Sequence, residues 1–276
     1  MKHIITITRL TFHEARRRRM VILALVLGAA FIVLYLSGFA LITRELRREG
    51  EREMGMQFGY NLLLMAGFYV VHFLTVMLAI FSSVDTISGE ITSHTIQTIV
   101  TKPLRRWHVV LGKWLGHAAM LMLYLALLSG AILVGVYLIA GYVPPNPLQA
   151  MLLFMLEALV LLSLSMLGGT YLSTLANGVT LFMLYGVAFI GSWVEQIGSV
   201  LNAPAAVQIG IVTSLLMPAE ALWRRTAYVM QPPLLRSMPT PFTLGSPPSA
   251  AMVAYAAAYG LLVLVLAMRA FNRRDL

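Results

Sequence analysis

Three ionisable side chains lie within long apolar stretches of the sequence and are the first candidates for chemistry. They are Glu157, His72 and His117, each in a different apolar stretch. A carboxylate is costly to place in hydrocarbon, so an acid in such a position indicates a function, such as lining a polar path or accepting a proton. The alternative is structural: Glu157 is protonated, or hydrogen-bonded to Ser163, Ser165 or a neighbouring helix. The sequence leaves both interpretations open.

The two histidines raise the question of a metal path, because imidazole and thioether groups suit Cu(I). Four methionines share their apolar stretches, namely Met65, Met77, Met120 and Met122. The 17 methionines of the chain do not establish such a path, since methionine commonly fills apolar helices. There is no Met-x-x-Met spacing and no cysteine in the sequence. We therefore predict no metal site.

The sequence contains no motif for catalysis by this chain. ATP hydrolysis would need G-x-x-x-x-G-K-[ST], but the Gly-Lys pair at 112–113 is followed by tryptophan and lacks the upstream glycine. An intramembrane protease would need a serine with a histidine in a Gly-x-Ser context, or paired glutamates with histidines. Ser163, Ser165 and the isolated Glu157 supply neither set. We predict no catalytic residues, so any ATP must be handled by a partner.

The elements that must hold these residues are membrane-spanning helices. The chain is 59% hydrophobic and 11% charged, against about 25% charged residues in a soluble domain. The charges are clustered, which leaves uncharged stretches longer than the roughly 20 residues of one crossing. A Pro-rich break at 141–147 and an Asn-Gly turn signal within 173–178 divide two of these stretches. The predicted spans are 20–42, 58–83, 110–140, 148–172, 179–201 and 250–268.

The distribution of basic residues predicts the orientation of these spans. Basic residues near span ends are retained in the cytoplasm, and placing both termini there puts 13 of the 20 Lys and Arg residues inside. The loop at 44–53 weakens the contrast, because its four arginines are interspersed with four glutamates. We predict a multi-pass protein of the inner (cytoplasmic) membrane with both termini in the cytoplasm.

Two segments outside the spans have distinct predicted roles. Residues 1–19 are typical of an amphipathic helix on the inner membrane surface, and their terminal arginines indicate a topology anchor rather than a nucleic-acid site. Residues 202–248 hold eight of the 12 prolines and predict an ordered external segment. Its apolar part, 207–216, is too short to span and is either interfacial or re-entrant. The aromatic residues and arginines at 223–228, together with Glu195, predict positions at the lipid headgroups.

The predicted cytoplasmic loop at 85–108 has the most informative pattern. It reads DTISGEITSHTIQTIVTKPLRRWH and places five aliphatic residues among polar ones. The step from Ile87 to Ile91 and a three-residue step further on fit one or two short helices, and Pro103 ends the segment. One interpretation is a solvated loop with incidental isoleucines. We prefer docking in a protein groove, because five aliphatic side chains would be costly to leave in water.

This loop resembles that of the ATP-binding-cassette (ABC) type 2 permeases. In that family an acidic residue, a Gly-Thr-Leu-like step, a Lys-Pro or Arg-Pro, an arginine and a Gly-Lys recur in that order. Here the string at 88–113 runs SGEITSHTIQTIVTKPLRR…LGK, and it departs at His94, where the family usually has glycine. The rest of the chain matches more loosely. The group it resembles most is the permeases of multicopper-enzyme maturation, such as the nitrous-oxide reductase accessory permease.

The resemblance implies the membrane subunit of an exporter, which forms the pathway as a homodimer and is driven by a separate ATPase subunit through a coupling helix at 85–100. ATP and Mg would be held by that partner, with no cofactor in this chain, and the other partner is the lipid bilayer, with no nucleic acid. The residues assigned to coupling are Asp85, Ile87, Glu90, Ile91, His94, Thr95, Ile96, Lys102 and Arg105. The candidate pathway residues are Glu157, His72 and His117.

Two other functions remain as alternatives. One is a proton-coupled secondary transporter that uses Glu157, although two similar halves, which many such transporters have, are not visible. The other is an intramembrane enzyme. The predicted fold class is all-α: a polytopic membrane protein with six transmembrane helices, an N-terminal amphipathic interfacial helix and a cytoplasmic coupling helix, in a single transmembrane domain over 1–276.

Overall fold

The computed structural model describes residues 2–48, 53–92, 105–233 and 247–273. Within these ranges all regular secondary structure is helical, as predicted. The helices, in chain order, are α1 Lys2–Arg17, α2 Arg19–Arg48, α3 Glu53–Ser83, α4 Asp85–Thr92, α5 Arg106–Ala140, α6 Pro147–Tyr171, α7 Thr174–Val200, α8 Pro204–Leu216, α9 Ala219–Met230 and α10 Ala250–Arg273.

Six of the described helices are long and apolar enough to cross a membrane: α2, α3, α5, α6, α7 and α10. Each carries one of the six predicted spans, which confirms a polytopic membrane protein. In α6, 61% of an 18-residue apolar segment is buried, whereas in α2 the corresponding share is 11%. Helix α6 is therefore central, with α3, α5, α9 and α10 packed around it, and α2 is peripheral.

The two breaks between apolar stretches have different chemistry. Helix α5 ends at Ala140, and the following Gly141 takes a left-handed φ of 69° and donates its N–H to the Tyr137 carbonyl oxygen, as a glycine after a helix commonly does. The next break was predicted within 173–178 from the Asn-Gly turn signal, but it lies at 172–173 and the Asn-Gly pair is helical. Helix α7 begins earlier, at Thr174, because the Ser173 hydroxyl caps it by accepting the Ala176 N–H. Asn177 lies inside the helix and donates to the Ser165 carbonyl oxygen at 2.9 Å.

Helix α1 packs against the start of α5 through two glycines. A β-carbon on Gly112 would lie 2.7 Å from Ile7, and one on Gly116 would lie 2.7 Å from Thr11. Only glycine leaves room for this approach, because a β-carbon contact below 3 Å requires a neighbour to move. The G-x-x-x-G spacing at 112–116 therefore serves a contact inside the chain.

Helices α8 and α9 form a hairpin that is bent by 108° at residues 217–218. Each helix alone is too short to span a membrane, but the two together are long and apolar enough, which is the geometry of a broken span or a re-entrant loop. Helix α8 packs mainly on α7, while α9 packs on α6. Ten of the 12 residues of α9 are buried. The hairpin thus brings its polar residues into the interior of the bundle.

Candidate functional site

Glu157, on α6, and His72, on α3, form a buried pair. His72 Nε2 lies 2.7 Å from Glu157 Oε1, and the two residues are 3% and 2% exposed. Two of the three candidate pathway residues are therefore brought together. Among the structural alternatives for Glu157, the structure shows the bond to a neighbouring helix. Ser163 has other partners: it donates to the Leu159 carbonyl oxygen and accepts from the Trp114 indole.

The pair is one end of a chain of hydrogen-bonded groups that crosses four helices. The Tyr185 hydroxyl, on α7, lies 3.2 Å from His72 Nε2 and donates to Glu220 Oε2, on α9, at 3.1 Å. We call Glu157, His72, Tyr185 and Glu220 the polar network. All four residues are buried, and buried polar groups are costly unless they are hydrogen-bonded. Their bonds therefore hold α3, α6, α7 and α9 in one arrangement.

Aromatic rings enclose the polar network. The Trp223 indole, on α9, stacks on the His72 ring with centroids 4.5 Å apart and planes 9° apart. Phe154 packs against both of these rings, and Tyr69 meets the indole edge-on. Sequence analysis placed Trp223 at the lipid headgroups, but it is 5% exposed because α9 folds back into the bundle. The rings keep water from the network and so strengthen its electrostatic interactions.

A second buried ion pair lies next to the network. Arg224 Nη2 donates to Glu195 Oε2 at 2.8 Å and to the Ser214 hydroxyl at 3.3 Å, so it joins α9 to α7 and α8. The predicted headgroup positions of Glu195 and Arg224 do not describe these side chains, which are 5% and 3% exposed. Two further nitrogens of the guanidinium, Nε and Nη1, are buried without a hydrogen-bond partner in the described part of the chain.

Sequence analysis missed Tyr185, Glu220 and the interior role of Arg224. A signal for the last two was present, because Glu220 and Arg224 are four residues apart and so lie on one face of a helix. That helix also carries apolar residues on most of its other positions. The proline content of 202–248 instead favoured an external segment. No local signal in the sequence distinguishes Tyr185 from the other tyrosines.

His117, the third candidate pathway residue, lies apart from the polar network. It is 1% exposed, and its Nε2 lies 3.1 Å from both the Ser82 carbonyl oxygen and the Thr86 hydroxyl. Lys113 Nζ also donates to the Thr86 carbonyl oxygen, at 3.1 Å. We call Ser82, Thr86, Lys113 and His117 the His117 cluster. It joins the end of α3 and the start of α4 to α5, rather than extending a path from Glu157.

The α3–α5 connection, residues 84–105, contains the predicted coupling residues. Asp85 Oδ1 accepts from the Thr174 hydroxyl, on α7, at 3.2 Å. Its Oδ2 lies 3.7 Å from Arg18 Nη1, at the bend between α1 and α2. The Ser88 hydroxyl also lies 2.9 Å from that of Thr174. Asp85 therefore contacts two peripheral elements of the bundle.

Ile87 does not present the partner surface that was predicted for it. It is 2% exposed and packs over Gly169 of α6, because α4 nearly continues α3 and turns its apolar face to the bundle. Arg105 is exposed and directly precedes α5. Glu90 and Ile91 lie in α4, where only the backbone is described. His94, Thr95, Ile96 and Lys102 lie outside the described residues.

A groove of about 900 Å³ opens beside Asp85, between the start of α2 and the start of α7. Its polar lining residues are Arg18, Arg19, Asp85 and Thr174, and the others are apolar. The described residues contain no group of three or more His, Asp or Glu side chains that could hold a metal ion. The groove at the rim of the bundle and the polar network in its interior are thus two features of the described residues that a ligand or a proton could use.

Comparison with known proteins identifies a family for nearly the whole chain. A family model described as ABC-2 family transporter protein matches residues 5–276. The match includes all six spans, the polar network and the α3–α5 connection. A comparison with curated proteins found no match. The multicopper-enzyme maturation group therefore stays a prediction.

Proposed function

The chain belongs to the ABC-2 family of transporter proteins, and from that premise we propose that it is the permease of an exporter driven by a separate ATPase subunit. It is a multi-pass membrane protein and a transport component rather than an enzyme. In the proposed complex two copies form the pathway in the cytoplasmic membrane, with all termini in the cytoplasm. Two ATPase subunits, which hold ATP and Mg, bind the α3–α5 connections.

The observation that carries this proposal is the position of Asp85. It contacts Thr174 at the start of α7 and Arg18 at the bend between α1 and α2. Helices are stiff, so a partner that moves α4 would move both peripheral elements at their ends. Coupling needs such an element with two arrangements, biased by the partner. The half-exposed contacts of Asp85 can be broken and remade at small cost.

The proposed ATPase contact begins after Ile87, because that side chain is already covered by α6. Charged residues at both ends of the remaining segment would set the register of docking by pairing with the partner. The residues proposed for this contact are Glu90, Ile91, His94, Thr95, Ile96, Lys102 and Arg105.

The proton-coupled alternative depends on Glu157 lining a path. The carboxyl is instead bonded to His72 at 2.7 Å, and Phe154 and Trp223 lie over that imidazole. These contacts favour a role in holding helices together, so we retain the ATP-driven permease. The expected result for Glu157→Gln is unchanged transport, since an amide keeps a hydrogen bond to His72.

The test of the proposed function is a charge reversal at Glu90. The tagged chain is co-expressed with an ABC ATPase subunit from the same genome, and co-purification and ATPase stimulation are measured in detergent. Glu90→Arg is expected to reduce both at least tenfold while the thermal unfolding midpoint of the permease stays unchanged. The control is Glu45→Arg, an exposed acid on α2. Normal co-purification and stimulation by the Glu90 variant would contradict the coupling role.

A further inference from the structure

The buried residues around the polar network carry more acid than base. Glu157, Glu195 and Glu220 are acids, Arg224 is a permanent cation, and His72 can carry one more positive charge. All five residues are 5% exposed or less. With every carboxyl ionised and the imidazole protonated, three negative charges would face two positive charges. The interior would then hold one uncompensated negative charge.

Within the described ranges, the helices packed around the network supply no further compensating charge. Helix α3 adds Tyr69 and α7 adds Tyr185, which are neutral phenols, while α8 has no titratable residue. On α9 itself, the Arg225 guanidinium donates to the Pro248 carbonyl oxygen and lies over the Tyr228 ring. On α6 the only ionisable group at this level is Glu157. An unpaired charge in a dry interior is strongly unfavourable, and such a group becomes neutral instead. One carboxyl of the cluster must therefore bind a proton.

The hydrogen bonds identify which carboxyl lacks a counterion. Glu195 has the Arg224 guanidinium at 2.8 Å, and Glu157 has the His72 imidazole at 2.7 Å. Among the described residues, Glu220 receives only the neutral Tyr185 hydroxyl, at 3.1 Å. Arg224 lies one turn away on the same helix, but its bonded nitrogen is directed to Glu195 and Ser214. We propose that the polar network is a proton-binding site and that Glu220 is the carboxyl that takes up the proton.

Proton binding at Glu220 links the net charge of the network to the position of the α8–α9 hairpin in the bundle. The carboxylate and one proton give a neutral carboxylic acid, and no other bond forms or breaks. The neutral acid lets α9 stay packed against α3, α6 and α7. Loss of the proton from Glu220 would leave a buried negative charge, which favours movement of α9 out of the bundle. This inference concerns the permease alone and does not rest on the proposed ATPase contact.

Infrared spectroscopy of the purified full-length protein in lipid nanodiscs tests the assignment directly. A protonated carboxyl has a carbonyl stretch that shifts in D2O and is absent from a carboxylate. We expect this band in the wild type, a loss of the band as the pH is raised, and no band in Glu220→Gln. The matched control, Glu45→Gln, changes an exposed acid and should retain the band. No band at any pH, or an unchanged band in Glu220→Gln, would overturn the proposal.

Two further variants keep the test decisive if Glu220→Gln folds poorly. Tyr185→Phe removes the phenolic hydroxyl that donates to Glu220, so it should shift the frequency of the band. Glu157→Gln removes one of the three negative charges and leaves the His72 imidazole free to balance Glu220, so the band should disappear at a lower pH than in the wild type. A band with the wild-type pH dependence in this variant would contradict the charge balance. An unshifted band in Tyr185→Phe would also count against Glu220.

The thermal unfolding midpoint gives an independent readout. The folded protein holds a proton that the unfolded chain releases at neutral pH, so wild-type stability should be greatest at low pH and fall as the pH rises. Glutamine imitates the neutral acid, so Glu220→Gln should lose this decline while Glu45→Gln keeps it. A decline of the same size in Glu220→Gln would contradict proton binding at that residue.

Discussion

The polar network and the contacts of Asp85 both join several helices, but they do so with different strength. The ion pairs beside and within the network have distances of 2.7 and 2.8 Å, with side chains between 2% and 7% exposed. The Arg18–Asp85 distance is 3.7 Å, and the Asp85 side chain is 52% exposed. Breaking a buried pair leaves an uncompensated charge, whereas breaking an exposed pair costs little. The network therefore fixes helices in place, and the Asp85 contacts can separate and re-form.

The largest expected effect comes from removing the buried cation. Arg224→Leu leaves Glu195 buried without its partner, so we expect a loss of about 3 to 5 kcal/mol of stability, measured by thermal unfolding in detergent. The exposed Arg44→Leu on α2 is the control and should change stability little. The double variant Arg224→Leu with Glu195→Leu should recover most of the loss. If Arg224→Leu were as stable as the wild type, the buried ion pair would join helices no more strongly than the contacts of Asp85 do.

An intermediate effect is expected where α1 meets α5. Gly116→Leu would push into Thr11 and should cost about 1 to 3 kcal/mol by overpacking. Gly130→Leu, on the same helix, is the matched control, because a β-carbon there would have no heavy atom within 4 Å among the described residues. Limited proteolysis after Arg16 and Arg17 would report release of α1. Equal cleavage of both variants would show that the glycine contact does not hold α1.

The smallest effect on stability is expected at Asp85. The same position is expected to have the largest effect on the coupling of transport to ATP hydrolysis. Asp85→Asn weakens its contacts with Arg18 and Thr174, but surface pairs contribute only about 0 to 1 kcal/mol. Transport per ATP hydrolysed should fall severalfold while the unfolding midpoint hardly moves. Glu14→Gln, which also removes an acidic partner of Arg18, is the control and should keep coupling. Unchanged coupling in Asp85→Asn would assign α4 a purely structural role.

Most of the fold followed from the length of the apolar stretches and from the proline-rich break at 141–147, because both are local properties of the sequence. The site followed only in part. His72 and Glu157 were singled out as ionisable groups in apolar runs, but their pairing depends on how α3 and α6 pack. The burial of Ile87 was missed because an apolar face does not indicate whether it is covered by α6 or by a partner. The interior position of α9 was missed because the prolines that flank it, and its two arginines, are equally typical of an external segment.

The bend between α8 and α9 has a consequence for how the protein is made. Helix α9 carries Glu220 and Arg224, and a charged residue at the centre of an isolated helix costs about 2.5 to 3.5 kcal/mol to insert into a bilayer. Among the described residues, the hydrogen-bond partners of these two side chains are Tyr185 and Glu195 on α7 and Ser214 on α8, and both helices precede α9 in the chain. Helix α9 is therefore unfavourable in the bilayer until it packs against the earlier helices. Biogenesis should accordingly have two stages, with the earlier spans assembled first and α9 seated into them afterwards.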